Sequence, residues 1–218
     1  MEDNPHGREF MKRLATEEFD WEDGCAHGLT RLLGPSSVLD AGCGIGRWIA
    51  AAVGTGCNDV LGIDTNVCNV IGLVPDKAKG KVVFGDLSKI LRLRRKFDCV
   101  WSFGVAEHLP PESSLTFALN LVNHSSRLVV VTAAPPRRGG VGPVNCKEKH
   151  EWIDMFQRAG GHPRTDLELA VISAWMPLTG RPDSMVKDLM VFDTRPVSPE
   201  LRRASMERTR MLAAKGLV

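Results

Sequence analysis

Val38-Leu39-Asp40-Ala41-Gly42-Cys43-Gly44-Ile45-Gly46 decides the fold, because it joins a short apolar run to three closely spaced glycines. The run is typical of a buried strand, and the residues that follow, Arg47 to Val53, are typical of a helix. Glycine reaches backbone conformations that other residues avoid, and it lets a ligand lie against bare main chain beside a helix N-terminus. The stretch therefore predicts a strand, turn and helix unit that binds an adenine-nucleoside cofactor at its turn.

The spacing of the glycines distinguishes this loop from that of dinucleotide-binding enzymes. It reads G-x-G-x-G, and Arg47 stands where the last glycine of G-x-G-x-x-G would be. Asp40 lies two residues before the first glycine, where a carboxylate would repel a pyrophosphate. The same carboxylate suits a ligand that carries an ammonium group, bound directly or through water.

Two further acids follow the next two apolar runs. Asp64 ends the second run, 18 residues after the last glycine, where an acidic side chain can accept both hydroxyls of a ribose. Asp86 follows the third run and could accept a hydrogen bond from an adenine amine, with Leu87 and Ile63 flanking the ring. Because the carboxyl ends of parallel strands share one edge of a sheet, we expect the three acids to lie in one row.

Short apolar runs separated by helix-length segments recur along the chain. Such runs are what strands covered on both faces require, so we predict a doubly wound α/β domain with a mostly parallel sheet. The first five strands are expected at 37–40, 60–64, 81–84, 97–102 and 127–132. Two later runs, Leu167 to Ala174 and Leu189 to Phe192, predict an antiparallel hairpin that closes the sheet edge around the turn-rich segment 177–183.

From roughly Trp21 to Phe192 the sequence resembles the class I S-adenosylmethionine-dependent methyltransferases. The resemblance is carried by Val38 to Gly46, Gly62-Ile63-Asp64, Gly85-Asp86, Phe97-Asp98-Cys99-Val100 and Ser102 to Pro110. It implies a Rossmann-like sheet of seven strands in the order 3-2-1-4-5-7-6, with strand 7 antiparallel, and methyl transfer from the sulfonium of S-adenosylmethionine. The cofactor-binding residues that follow from it are Asp40, Gly42, Cys43, Gly44, Gly46, Asp64, Thr65, Asn66, Gly85, Asp86, Leu87 and Phe103. The alternative is a bare tight turn with Asp40 as a helix cap.

The catalytic candidates are His108 and Glu107, which follow the fourth strand. Methyl transfer by in-line displacement requires alignment above all, with a base only where the nucleophile is poor. The near-neutral pKa that histidine ordinarily has suits His108 to removing a hydroxyl proton, while Glu107 could orient substrate or cofactor. The alternative is that both residues merely form a polar helix start before Leu109-Pro110-Pro111.

We expect no catalytic metal. A related group of small-RNA ribose methyltransferases has E-x-x-E-H at this strand end and a further histidine after the fifth strand, which together form a metal site. Here Gly104 replaces the first glutamate, leaving Glu107, His108 and perhaps His150. The motifs N-P-P-Y and D-P-P-Y, which mark methylation of amino groups on nucleic acid bases, are also absent from the sequence.

The loop after the fifth strand, residues 132–146, is rich in glycine and proline and is a candidate substrate lid. Arg137 and Arg138 within it are candidate substrate-binding residues that could pair with a phosphate or a carboxylate, or could merely keep the lid hydrated. Trp152, on the following helix, is either a substrate wall or part of the core. In one small-molecule branch of the superfamily a histidine stands where Pro143 stands here, which shifts the role of base to His108.

The length of 218 residues suits one enlarged domain. We place the methyltransferase domain at 1–194, with a helical cover over about 1–34, and a basic C-terminal helix or tail at 195–218. The six cysteines form no C-x-x-C pair, and no apolar stretch approaches the ~20 residues that span a membrane. We therefore expect a cytoplasmic protein with no membrane association.

A formal net charge of +2 provides no global basic field to attract nucleic acid. The basic run Arg92 to Lys96 precedes the fourth strand and so belongs to the amino edge of the sheet, away from the chemistry. The sequence thus favours O-methylation of a small molecule at a hydroxyl or carboxyl group. The alternatives are a ribose or cap methyltransferase acting on RNA, and a catalytically inactive scaffold that binds the cofactor.

Overall fold

The computed structural model describes residues 20–136, 142–179 and 184–195, together with the single positions 11, 12, 15, 198, 200 and 207. The strands are β1 (Val38–Ala41), β2 (Val60–Asp64), β3 (Val82–Phe84), β4 (Phe97–Phe103), β5 (Ser125–Thr132), β6 (His162–Pro163) and β7 (Leu189–Asp193). They form one sheet in the order β3-β2-β1-β4-β5-β7-β6. Only β7 runs antiparallel to its neighbours within this described sheet, so the predicted order and direction are confirmed.

Helices cover both faces of this sheet. They are α1 (Asp20–Leu33), α2 (Arg47–Gly54), α3 (Val67–Val70), α4 (Ser114–His124), α5 (Lys149–Arg158), α6 (Thr165–Thr179) and α7 (Ser184–Lys187). Short 3₁₀ helices lie at Ile71–Leu73, Asp76–Ala78, Ala106–His108 and Pro111–Ser113. In the described part of the chain, none of the helices combines the length and the apolar character that crossing a membrane requires.

The core has two halves because successive side chains of a strand point to opposite faces. Val38, Cys99 and Trp101 pack with α1, α2 and α6 on one face of the sheet. Leu39 and Val100 pack with α4 and α5 on the other. Every residue of β1 is buried, which explains the near-continuous apolar run in its sequence.

The expected strand from Leu167 to Ala174 is wrong, because this segment lies inside α6. The sixth strand is instead the two-residue β6, which pairs with the end of β7. Leu167 and Val171 of the segment and Trp175 just after it fall four positions apart, close to the helical period, and Val171 and Trp175 are fully buried. The antiparallel edge was thus predicted correctly, but one of its two strands was misplaced.

The described part of the expected N-terminal cover is α1, which packs on α2 and α6. Trp175 on α6 holds this helix directly, since its Nε1–H donates to the carbonyl oxygen of Cys25 at 2.9 Å. The basic segment 195–218 lies almost entirely outside the described residues. The division of the chain at residue 194 therefore stays a prediction.

Candidate active site

The glycine loop after β1 has the backbone that its composition predicted. Gly42, Gly44 and Gly46 have φ angles of 84°, 54° and 83°, in the region that favours glycine. A Cβ at Gly42 would lie 2.3 Å from Val105 Cγ2, and one at Gly46 would lie 3.0 Å from Val82 Cγ2. The loop therefore requires glycine both for its conformation and for its close approach to neighbouring chain.

Asp64 joins this loop to the end of β2. The Gly44 N–H donates to Asp64 Oδ2 at 2.9 Å, and the Asn66 N–H donates to Oδ1 at 2.8 Å, across the exposed Thr65. A carboxylate oxygen can accept more than one hydrogen bond, so this side chain can still receive ribose hydroxyls. Besides its predicted role in ribose binding, Asp64 therefore orders the glycine loop.

Asp40 and Cys43 form the buried floor beside the glycines. Asp40 is 2% exposed and lies beside Gly62 and Trp101 in the sheet register. The pKa of the Cys43 thiol is raised well above its ordinary value, first by burial and then by Asp40 and Asp64. Burial therefore favours the neutral form of the Cys43 thiol, which packs under the loop.

Asp86 ends the row of acids beyond β3. Its Oδ1 accepts hydrogen bonds from the Ser88 N–H at 3.0 Å and the Ser88 hydroxyl at 2.6 Å, and its Oδ2 lies 2.9 Å from Lys89 Nζ. These contacts, led by the Ser88 hydroxyl, hold the pKa of Asp86 below its usual range. Leu87 and Ile63 are both buried near it, and a Cβ at Gly85 would lie 2.4 Å from Ile63 Cγ2.

The end of β4 brings the two catalytic candidates into a single 3₁₀ turn, Ala106–His108. Glu107 is 7% exposed, and burial raises the pKa of its carboxyl. Its Oε2 is buried and has no hydrogen-bond partner among the described residues. His108 is half-buried, and its Nδ1 lies 3.2 Å from the Gly142 carbonyl oxygen on the loop after β5. A buried acid and a partly accessible base thus stand side by side at the carboxyl edge.

Asn145 is a residue of this site that the sequence analysis did not select. The N–H groups of Val144 and Asn145 donate to the Glu107 carbonyl oxygen at 2.8 and 2.9 Å. The Asn145 side chain donates to the Ala106 carbonyl oxygen and to Ser114 Oγ at 3.3 and 2.9 Å. It therefore fixes the far end of the candidate lid to the 3₁₀ turn that carries Glu107 and His108. The Val-Asn pair in the loop was visible in the sequence, but its partners were not.

The remaining candidate residues for cofactor and substrate binding do not lie together. Phe103 ends β4 and packs on Trp48, with ring centroids 4.2 Å apart. Trp152 is fully buried and contacts Phe117 at 6.1 Å between centroids, which favours the core interpretation. Arg137 and Arg138 lie outside the described residues. Among the residues that are described, no three histidine, cysteine, aspartate or glutamate side chains converge to hold a metal ion.

Comparison with known proteins shows the family of the chain. The family model described as a methyltransferase domain matches residues 17–169, which is more than half of the chain. No curated protein matches the sequence.

Many solved structures share the fold. The sugar N-methyltransferase KedS8 from Streptoalloteichus is 15% identical with a TM-score of 0.62, covering 86% of this chain and 92% of that one. A TehB-like SAM-dependent methyltransferase from Corynebacterium glutamicum is 22% identical with a TM-score of 0.55, covering 78% and 86%. Magnesium protoporphyrin IX methyltransferase from Synechocystis, with bound SAM, is 18% identical with a TM-score of 0.55, covering 84% and 88%. These identities show likeness of fold, and with the family match and the glycine loop they establish that the chain belongs to the class I S-adenosylmethionine-dependent methyltransferases.

Proposed function

We propose that the protein transfers the methyl group of S-adenosylmethionine to a hydroxyl or carboxyl oxygen of a small molecule. The observation that carries the proposal is the hydrogen bond between Asp64 and Gly44, because it joins the predicted ribose acceptor to the glycine loop at one edge of the sheet. Two similar structures are named for small-molecule substrates, a sugar and magnesium protoporphyrin IX, which supports an acceptor of that size.

The residues of the loop fit the proposed cofactor. The glycines of the loop have no side chains that would keep the methionine portion away from their main chain, and the buried Asp40 suits its ammonium group. In this proposal Asp64 binds the ribose, and Asp86 and Leu87 bind the adenine. S-adenosylmethionine supplies an electrophilic methyl group, so the chain needs only to hold the acceptor oxygen in line and to remove its proton.

His108 is the proposed base. It is half-buried at the end of β4, beside the loop that would close over an acceptor. Glu107 contributes a buried oxygen without a hydrogen-bond partner among the described residues, and this oxygen can orient the acceptor or the His108 ring. Burial raises the pKa of the Glu107 carboxyl because it disfavours the charged form, whereas His108 is the more accessible of the two side chains.

Replacing Asp64 tests the cofactor assignment. Asp64→Ala should weaken S-adenosylmethionine binding roughly 10- to 100-fold, since hydrogen bonds to charged groups contribute ~1.5–3 kcal/mol. Asp64→Asn, which retains one carbonyl acceptor, should lie between this variant and the wild type. Calorimetric titration measures the affinities, with Asp76→Ala as control because the Asp76 side chain is 92% exposed. Unchanged affinity in Asp64→Ala would refute the ribose assignment.

Replacing His108 tests the chemical step. Isotope-labelled S-adenosylmethionine is incubated with the enzyme and a small-molecule fraction or an RNA fraction of a cell extract, and labelled products are identified by mass spectrometry. We expect label in the small-molecule fraction, and His108→Ala should lower its rate of appearance ~10²–10⁴-fold while cofactor affinity is kept. His27→Ala on α1 is the matched control.

The other possible outcomes of the labelling experiment support other functions. Label in RNA alone would replace the small-molecule proposal with RNA methylation. Cofactor binding without label in either fraction would favour the scaffold alternative, and an unchanged rate in His108→Ala would return this histidine to a structural role.

A further inference from the structure

The carboxyl group of Glu107 is buried beside His108, and the protein satisfies only part of it. Glu107 is 7% exposed, and its Oε2 is a buried atom without a hydrogen-bond partner among the described residues. A buried polar atom without a partner is costly, and in a native protein it needs an explanation. At the edge of the sheet where the cofactor is proposed to bind, a bound molecule is a direct explanation.

Three neighbours place this carboxyl over the ends of β4, β5 and β7. A Cβ at Gly104, just after β4, would lie 3.8 Å from Glu107 Oε1. The carboxyl accepts a backbone hydrogen bond from Ala134, two residues after β5, and Asp188, directly before β7, acts on it electrostatically. The three strands are neighbours in the sheet. Glu107 and Asp188 therefore lie near each other at the carboxyl edge.

This position lies beyond the proposed cofactor along the same edge. The glycine loop, Asp64 and Asp86 follow β1, β2 and β3, which in the proposed function hold the methionine portion, the ribose and the adenine. β4 is the next strand on the methionine side. Val105, which lies against Gly42, is two residues before Glu107. Glu107 thus stands past the methionine end, where an acceptor has to lie to reach the methyl group.

The charges around Glu107 favour a positively charged group. Burial raises the pKa of the Glu107 carboxyl and Asp188 acts in the same direction, whereas backbone hydrogen bonds and His108 lower it. Within the described part of the chain, no lysine or arginine forms an ion pair with Glu107. A cationic ligand would favour the ionised carboxyl, whereas both acids would repel an anionic one.

We propose that Glu107, assisted by Asp188, binds an ammonium group that the acceptor carries close to the oxygen that is methylated. This inference rests on the proposed function and narrows its substrate class to amino alcohols and amino acids. The ammonium group donates to Glu107 Oε2. During transfer the acceptor oxygen bonds to the methyl carbon as the carbon–sulfur bond breaks, His108 takes the proton of a hydroxyl acceptor, and the ammonium group is unchanged.

The first test measures binding alone, with trans-2-aminocyclohexanol as the probe and trans-1,2-cyclohexanediol as the matched probe without the charge. The ¹⁵N-labelled protein is saturated with S-adenosylhomocysteine, so that the probe cannot occupy the place of the cofactor's own ammonium group. Nuclear magnetic resonance follows the amide signals of Gly104 and Ala134. We expect the amino alcohol to shift them saturably and to bind ~10-fold more tightly than the diol, because hydrogen bonds between charged groups are about twice as strong as neutral ones. Equal affinity for the two probes, or no saturable shift with the amino alcohol, would overturn the proposal.

Variants of the two acids assign the preference to these side chains. Glu107→Gln keeps the size and removes the charge, so it should lower the affinity for the amino alcohol to that for the diol, and Asp188→Asn should lower it by a smaller factor. Glu112→Gln, in the exposed start of the next 3₁₀ turn, should leave it unchanged. Thermal unfolding followed by circular dichroism shows whether each variant is folded. Unchanged affinity in folded Glu107→Gln would contradict the proposal, and if this variant does not fold, the two probes in the wild type still decide.

The transfer reaction with labelled S-adenosylmethionine gives a second test. A labelled small-molecule product should be retained on a cation-exchange resin at neutral pH and released by salt, since methylation of the oxygen leaves the ammonium group in place. A labelled product that passes through the resin would contradict a cationic acceptor. Absence of any labelled product would contradict the proposed function instead, and the probe experiment would still show whether Glu107 binds an ammonium group.

Discussion

At the scale of single residues, Gly42 is required for two reasons, its backbone conformation and the lack of space for a side chain. Its φ of 84° lies where a side chain costs ~1–2 kcal/mol, and Val105 occupies the space that a Cβ would need. Gly56 has a φ of 95° but nothing within 4 Å of a Cβ position. Substitutions at Gly42 and Gly56 can therefore distinguish the cost of backbone strain from the cost of steric overlap within one chain.

Gly56→Ala should lower the free energy of unfolding by ~1–2 kcal/mol through backbone strain alone. Gly42→Ala should lose that amount and a further ~1–3 kcal/mol from overlap with Val105. Urea denaturation measures both losses. Adding Val105→Ala should recover part of the steric loss at Gly42. Equal losses at the two glycines would show that the contact with Val105 relaxes without cost.

At the scale of elements, Arg127 connects three of them at the amino edge of the sheet. Its Nε and Nη2 donate to the two oxygens of Asp98 at 2.7 Å each, which ties β5 to β4. Nη2 also donates to the Leu33 carbonyl oxygen at 2.9 Å, at the end of α1. The Arg127 and Asp98 side chains are 24% and 19% exposed, so this pair is less screened than a surface pair.

Asp98→Asn should lower the free energy of unfolding by about 2 kcal/mol at neutral pH. The hydrogen bond from Arg127 is the largest cause that lowers the pKa of Asp98 in the folded state. This stabilisation is therefore complete above the unfolded pKa of ~3.9 and is lost as the pH falls through the lower folded value. Urea denaturation at a series of pH values should show the wild type and the variant converging in acid.

The control for this pair is Asp59→Asn, which removes a more exposed partner of Arg95 at the same edge. Since exposed ion pairs contribute ~0–1 kcal/mol, this variant should lie close to the wild type. A gap between Asp98→Asn and the wild type that persisted unchanged below the folded pKa of Asp98 would contradict the assignment.

The elements also show what could be predicted from the sequence and what could not. β1 to β5 and the row of Asp40, Asp64 and Asp86 follow from local patterns, because a strand buried on both faces is visible in its own residues. α6 was misassigned because its apolar residues satisfy both a strand and a helix pattern. Its partners Cys25 in α1 and Trp48 in α2 are far away in sequence. Asn145 could not be predicted because its contacts also depend on residues far away in sequence. Its role follows from the path by which the loop returns to Glu107.

At the scale of the whole molecule, charge is distributed along the strand direction. The acids of the candidate cofactor site lie at the carboxyl edge, whereas the opposite edge carries Arg127 with Asp98, and Arg164 and Arg195 with Asp193. Arg127, Arg164 and Arg195 are engaged in ion pairs that fix the strand ends. The net charge of +2 is therefore a small sum over an uneven distribution, and it does not describe the surroundings of the site.

Trp175 on α6 lies where α1 and α6 meet the carboxyl end of β4. Its ring lies 5.8 Å from that of Trp48 on α2 and 5.7 Å from that of Phe103 at the end of β4. Its Nε1–H is satisfied by Cys25 on α1. A single side chain thus couples the docking of both helices to the carboxyl end of β4.

Trp175→Ala should lower the free energy of unfolding by ~3–5 kcal/mol, because it removes a fully buried ring and opens a cavity between α1, α2 and α6. Trp175→Phe should lose less, about 1 kcal/mol for the hydrogen bond to Cys25 together with a smaller packing loss. Urea denaturation gives these values, and Ser173→Ala on the exposed side of α6 is the control. Amide hydrogen exchange should show that Trp175→Ala deprotects α1 more than it deprotects α4, on the opposite face of the sheet. Equal deprotection of both helices would mean that the two faces unfold as one unit, and that the coupling through Trp175 is global.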